Sequence, residues 1–222
     1  MNFPFTVEQF LSVFEQYNTS VWPLQIFLNI VALGAIALAV RRRPSSDRSI
    51  SAILSLFWLW IGVVYHYAFF TTINKAAYVF AFFNVLQGLI FLFTGVLRRR
   101  LSFEFRSNGY GWTGGFLILY AMVLYPILGY FFGHAYPKAP SFGLPCPTTI
   151  FTLGLLLWTK PGLPKSVLII PVLWSVIGFS AALTLGIAED TGLLVAGVAV
   201  TVLIFIRDRN TAQTAPGIRP AA

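Results

Sequence analysis

Apolar residues run along the chain in seven blocks separated by short polar gaps. The blocks cover Trp22–Val40, Ile50–Phe70, Ala76–Leu97, Trp112–Gly133, Phe142–Trp158, Ser166–Ile187 and Thr191–Ile206. A bilayer-crossing helix needs about 20 mostly apolar residues, and most of the blocks come close to that length. The fifth is the weakest: its uninterrupted part runs from Thr148 to Trp158, and Pro145-Cys146-Pro147 breaks its start. Ahead of the first block the pattern changes. Val7, Phe10, Leu11, Phe14 and Tyr17 recur at helical spacing, and Thr6 and Gln9 stand at capping-box spacing. The expected fold is all-α. Residues 1–21 form an amphipathic interfacial helix, residues 22–206 a polytopic membrane bundle of seven transmembrane helices, and residues 207–222 a disordered tail rich in Ala, Thr and Pro.

Charge gives the bundle a direction. Arg41, Arg42, Arg43 and Arg48 fill one gap, Arg98, Arg99, Arg100 and Arg106 a second, and Lys160 and Lys165 a third; Arg207, Arg209 and Arg219 follow the last block. The alternate gaps hold only Lys75 and Lys138. A Lys/Arg excess on alternate loops marks the cytoplasmic side, so the N-terminus is expected outside and the C-terminus inside. That polarity requires an odd number of crossings and retains the fifth block as a span.

Composition agrees. Hydrophobic residues make up 57% of the 222 positions and charged residues only 10%, well under the roughly 25% of a soluble domain. The net charge of +8 is dispersed among loops between spans. It therefore points to anionic headgroups on the cytoplasmic face of a lipid bilayer, and not to nucleic acid. Glu8 and Glu15 lie where a cleaved signal peptide would carry its cationic start, and none is expected. Asn18-Thr19-Ser20 is a glycosylation sequon on the outer side. The single cysteine, Cys146, excludes an internal disulfide and any multi-cysteine metal centre.

Few residues carry candidate chemistry. His66 lies inside the second block, where an ionisable group is a site candidate by default; a neutral ring bonded to a neighbour is the competing reading. Asn84 and Gln87 lie in the middle of the third block and form a small, polar stripe with Ala77, Ala81, Gly88 and Gly95. Interhelical hydrogen bonding is the preferred account of that stripe, and the lining of a polar pathway the alternative. The outer loop from His134 to Thr149 contains four prolines in eleven residues. Pro145, Cys146, Pro147, Thr148 and Thr149 make its last turn, where free N–H groups at a helix start suit an anion or line a cavity. The loop is expected to be ordered, tied to the third membrane helix and placed over the bundle mouth. His66, His134 and Cys146 are an alternative metal or haem set, although no ligand spacing supports it. Asp190 before Thr191 fits an N-cap. No cofactor is expected, and the oligomeric state stays open.

The segments Trp60-Ile61-Gly62, Tyr65-His66, Phe69-Phe70, Ile73-Asn74, Tyr78 and Gln87, with Tyr136-Pro137, Phe142-Gly143 and Pro145-Cys146-Pro147-Thr148-Thr149, resemble the signature of a bacterial family of multi-pass membrane proteins known only as a domain of unknown function. The resemblance covers nearly the whole chain. It implies location in the bacterial inner membrane and no particular activity. The expected function is a small-solute or ion permease with an outward-facing polar cavity. The alternatives are a metal- or haem-binding protein with redox or hydrolytic activity, and a sensory or structural membrane subunit.

Overall fold

A computed structural model describes residues 4–214. Eight helices account for nearly all regular structure among them: α1 (Val7–Val21), α2 (Leu24–Arg41), α3 (Ser46–Thr72), α4 (Ala77–Leu97), α5 (Gly109–Phe131), α6 (Pro145–Leu157), α7 (Ser166–Leu185) and α8 (Thr191–Thr214). A 3-10 turn, Ala188–Asp190, leads into α8. Six helices, α2 to α5 with α7 and α8, are long and apolar enough to cross a membrane. Their outward faces carry large exposed apolar side chains such as Phe82, Trp112, Phe131 and Leu183, which in a membrane meet acyl chains and not water.

Helix α6 differs from these six. Its 13 residues extend about 20 Å at 1.5 Å per residue, short of a hydrocarbon core of about 30 Å. Every residue from Pro147 to Leu157 is buried. It forms the axis of the bundle, enclosed by α5, α7 and α8. Gly154 makes the closest approach. A Cβ there would sit 2.8 Å from the Gly114 carbonyl oxygen, and one on Gly114 would sit 2.6 Å from the Gly154 carbonyl. Only the absence of side chains lets the two backbones touch. Polar ties fix the axis in depth: Trp58 donates its indole N–H to Thr152 Oγ1 at 3.1 Å, and Trp158 donates to the Gly111 carbonyl at 2.8 Å.

The backbone sorts the bundle into two ends. At the first, the 101–105 segment joins α2, α3 and the C-terminal end of α6. Phe103 N–H donates to Asp47 Oδ1 (2.7 Å), Phe105 N–H to the Ala39 carbonyl (3.3 Å) and Glu104 N–H to the Trp158 carbonyl (2.6 Å). Glu104 also bridges Arg42 and Arg106 at 2.7 and 3.0 Å. The Arg106 hydrogen bond, followed by Arg42, holds the Glu104 carboxyl below its usual pKa. Arg207, only 6% exposed, donates to the carbonyls of Thr159 (2.7 Å) and Leu157 (3.2 Å). It thereby closes the C-terminal turn of α6, where carbonyls lack helical partners. Helix α8 continues past Ile206 to Thr214, so residues 207–214 are not the disordered tail expected from composition. Arg207 anchors the extension. Residues 215–222 of that expected tail lie outside the described residues.

The second end is built around α1. The capping box is present, with Gln9 N–H donating to Thr6 Oγ1 and Thr6 N–H to Gln9 Oε1. Tyr17 and Asn18 on the helix are completely buried. Asn18 Nδ2 donates to the carbonyls of Pro137 (2.6 Å) and Ala139 (2.8 Å), while its oxygen accepts from Ser141 and Gln25. Tyr17 accepts from Trp60 Nε1 at 2.8 Å, and burial raises its hydroxyl pKa despite that bond. The 134–149 loop is therefore bonded to α1 and not, as expected, to α4. A side-chain amide bonded in this way is also closed to glycosylation.

Candidate functional site

Beneath α1 lies a cavity of about 380 Å³, a size that suits a small molecule. Phe10 and Phe14 of α1 roof it, Tyr65, His66 and Phe70 of α3 form one wall, and Trp174, Gly178 and Ala182 of α7 form another. Pro145 and Cys146 at the start of α6, with Asp190 before α8, close the floor. On its remaining side the lining reaches Ile177, which is 40% exposed, and the half-buried Phe80, Ser180 and Ala181. The exposed Ile177 brings that side of the lining to the flank of the bundle, beside α4 and α7.

The local sequence explains the shape. Residues Ile61–Phe69 form a π-helical stretch of α3, a widened turn that is rare and frequent at functional positions. His66 lies within it. Its ring is packed among aromatic rings, with centroids 5.0 Å from Trp174, 5.1 Å from Tyr65 and 5.7 Å from Phe80. It is fully buried, and neither ring nitrogen has a hydrogen-bond partner among the described residues. Trp174 Nε1 also lacks a partner of normal geometry; its interaction is with the Cys146 sulfur, a weak acceptor.

The acidic pair behind the floor is better provided for. Tyr125 donates its hydroxyl to Asp190 Oδ1 at 2.5 Å, and Tyr120 donates to the Glu189 carbonyl at 2.7 Å. The buried Glu189 carboxylate lies 3.0 Å from His134 Nδ1. Asp190, read from sequence as a helix cap, thus contributes its carboxylate to a buried Tyr–Asp contact beside the cavity.

Of the expected site residues, His66, Pro145 and Cys146 line the cavity. Asn84 and Gln87 are not on its wall. Asn84 donates to the Phe80 carbonyl one turn earlier at 2.7 Å, and Gln87 reaches the Val167 carbonyl of α7 at 3.1 Å. Pro147, Thr148 and Thr149 are buried within α6. The first turn of α6 offers little to an anion, because Pro145 and Pro147 have no N–H and the Thr148 N–H is bonded to the Leu144 carbonyl. The Thr148 hydroxyl instead accepts from Gly143 N–H, at a glycine whose φ of +101° suits no other residue well. The alternative metal set is divided, with His134 on Glu189 and away from the cavity. Among the described residues, no three His, Cys, Asp or Glu side chains come together to hold a metal ion.

Tyr65, Trp174 and the α1 phenylalanines are among the cavity residues that sequence reasoning did not assign to a site. Phe10 and Phe14 carried a signal in their helical spacing, but it specifies an apolar face and not what that face covers.

A helical bundle with six membrane-length apolar helices, a buried central helix and a laterally open aromatic cavity defines a multi-pass membrane protein. Within that class the chain belongs to DUF6064, a family of unknown function whose model matches residues 7–215. No curated protein and no solved structure matches it.

Proposed function

We propose that this protein binds a small, mostly apolar molecule in the cavity beneath α1, drawing it from the surrounding membrane. The observation that carries the reading is the pairing of a lateral opening with a buried, unpartnered His66. A purely structural gap between helices is normally filled by side chains, and a purely structural histidine normally finds a partner.

In this proposal α6 is a seventh crossing, the Arg-rich end faces the cytoplasm and its anionic headgroups, and the α1 end faces outward in a bacterial inner membrane. The support is the distribution of charge together with the backbone ties that hold Trp158–Lys160 against the 101–105 segment. The permease expectation uses the same cavity but asks more of it. Asn84 and Gln87, which would continue a polar route inward, do not line the cavity; each gives an amide N–H to a carbonyl, of Phe80 and of Val167, while its amide oxygen is buried without a partner among the described residues. Binding is therefore the reading put forward, and translocation is its extension.

The test uses durene, a flat tetramethylated benzene, as probe. Saturating durene should raise the thermal midpoint of the purified protein in detergent. It should leave unchanged an Ala181→Trp variant, whose indole would occupy the mouth. Equal shifts in both proteins would mean that durene acts through the micelle, and the cavity would not be a binding site.

A further inference from the structure

We infer that the cavity selects a neutral, ring-bearing carbonyl compound of the quinone type, held by hydrogen bonds from His66 and Trp174 while its ring lies among their aromatic neighbours. The inference rests on reading the cavity as a ligand site, and it adds what that ligand must carry.

Trp174 Nε1 is a donor and nothing else. Whatever completes it must present an acceptor, and the Cys146 sulfur is a poor one. His66 in its neutral form has one donor nitrogen and one acceptor nitrogen. Both are unpaired in a fully buried ring, and burying polar atoms without partners is a cost that a bound ligand would relieve. The two side chains stand side by side in the lining, ring centroids 5.0 Å apart, so a ligand group that lodges between them would meet both. A carbonyl oxygen with two lone pairs is the smallest group that answers a donor at each.

The remaining walls narrow the choice. Asp190 lines the floor and Glu189 lies directly behind it, so a carboxylate or phosphate would meet acidic groups and no cation. A cationic ligand would gain from the rings and from Asp190, but the Asp190 Oδ1 atom is already occupied by Tyr125, and a cation offers nothing to the unpartnered Trp174 N–H, which needs an acceptor. Flat rings suit walls in which Phe10, Phe14, Tyr65 and Phe70 meet one another stacked or edge to face, and Phe80 meets Trp174 edge to face. The lateral opening suits a compound dissolved in the membrane.

Duroquinone is the probe, because its four methyl groups leave no ring C–H open to addition of the Cys146 thiol. Durene has the same ring and methyl groups without the oxygens. Isothermal titration of the detergent-purified protein, with empty micelles subtracted, should show duroquinone binding at least about tenfold tighter than durene. His66→Phe and Trp174→Phe should each remove most of that preference while durene still binds, which also reports that the variants are folded. Equal affinities for the two probes, or a preference unchanged in both variants, would overturn the inference and leave the cavity as an unselective apolar site. Tighter binding of tetraethylammonium than of duroquinone would overturn it in favour of a cation. If neither ring compound binds the wild-type protein, the ligand-site reading itself fails.

Discussion

The hydroxyl of Tyr125 lies 2.5 Å from Asp190 Oδ1, joining the middle of α5 to the start of α8 across a fully enclosed space. Asp190 sits at the floor of the cavity, and this contact fixes how its carboxylate faces the ligand space. Removing the donor leaves a buried carboxyl oxygen short of its partner, a change that costs about 1–3 kcal/mol. Tyr125→Phe should therefore lower stability by about that amount. Asp190→Asn should lose less in the Tyr125→Phe background than in the wild type. Chemical denaturation of the four proteins in detergent forms the double-mutant cycle; full additivity would show that the contact contributes nothing.

Arg207 supplies the second prediction. Its guanidinium closes the last turn of α6 through two carbonyls while almost fully buried. Arg207→Ala should cost about 3 kcal/mol, since hydrogen bonds from a charged donor count for more than neutral ones. Arg207→Lys should recover less than half, because one ammonium cannot replace both the Nη1 bonds to the Leu157 and Thr159 carbonyls and the Nη2 contacts to Thr159 Oγ1 and the Lys160 carbonyl. Unfolding monitored by the loss of helical signal measures both, and a lysine variant as stable as the wild type would contradict the bidentate role.

Thiol access gives a third. Cys146 lies at the foot of the cavity under α1, whereas Tyr136 on the outer loop is 54% exposed. A membrane-impermeant maleimide applied to intact spheroplasts should label Cys146 at least about tenfold more slowly than Tyr136→Cys in a Cys146→Ser background. Comparable rates would mean that α1 does not cover the cavity.

Topology gives a fourth. Short epitope tags inserted into the full-length chain after Arg43, Arg100 and Lys165 should be reached only from the cytoplasmic side, and tags after Lys75 and Lys138 only from outside. A tag after Lys165 detected from outside would mean that α6 does not connect the two ends across the membrane.

The membrane-length helices were legible because apolar length is a local property, and all blocks but the last begin and end within a few residues of their helices; the last helix runs on from Ile206 to Thr214. Charge separated the ends for the same reason, since the Arg-rich gaps do collect at one end around the 101–105 segment. The capping box of Thr6 and Gln9 was also local. What sequence did not disclose depends on rotation and long-range contact. Asn84 and Gln87 have the right depth for a cavity but turn toward the Phe80 and Val167 carbonyls, because an amide takes the nearest acceptor that packing offers. Tyr125 looks like any tyrosine in a span until Asp190, 65 residues away, is brought against it. Tyr17 and Asn18 could not reveal α1 as a roof, because their partners lie in the outer loop and in α3.

Helix α6 has a consequence for the order in which the chain is made. A segment this short, opening with Pro145-Cys146-Pro147 and buried on every side, has little claim on the bilayer when it first emerges from the ribosome. Its partners α7 and α8 do not yet exist at that moment. The segment must wait outside the lipid, or be held there, until the last two helices are synthesised and can enclose it. On the proposal that α6 is the seventh crossing, a chain stopped near Lys165 would leave α6 stranded and its following loop on the wrong side, although nothing before the stop had changed. Early termination would then be more damaging than the number of missing residues suggests, and the Asp190–Tyr125 contact, made by the last helix to arrive, would mark completion of the fold.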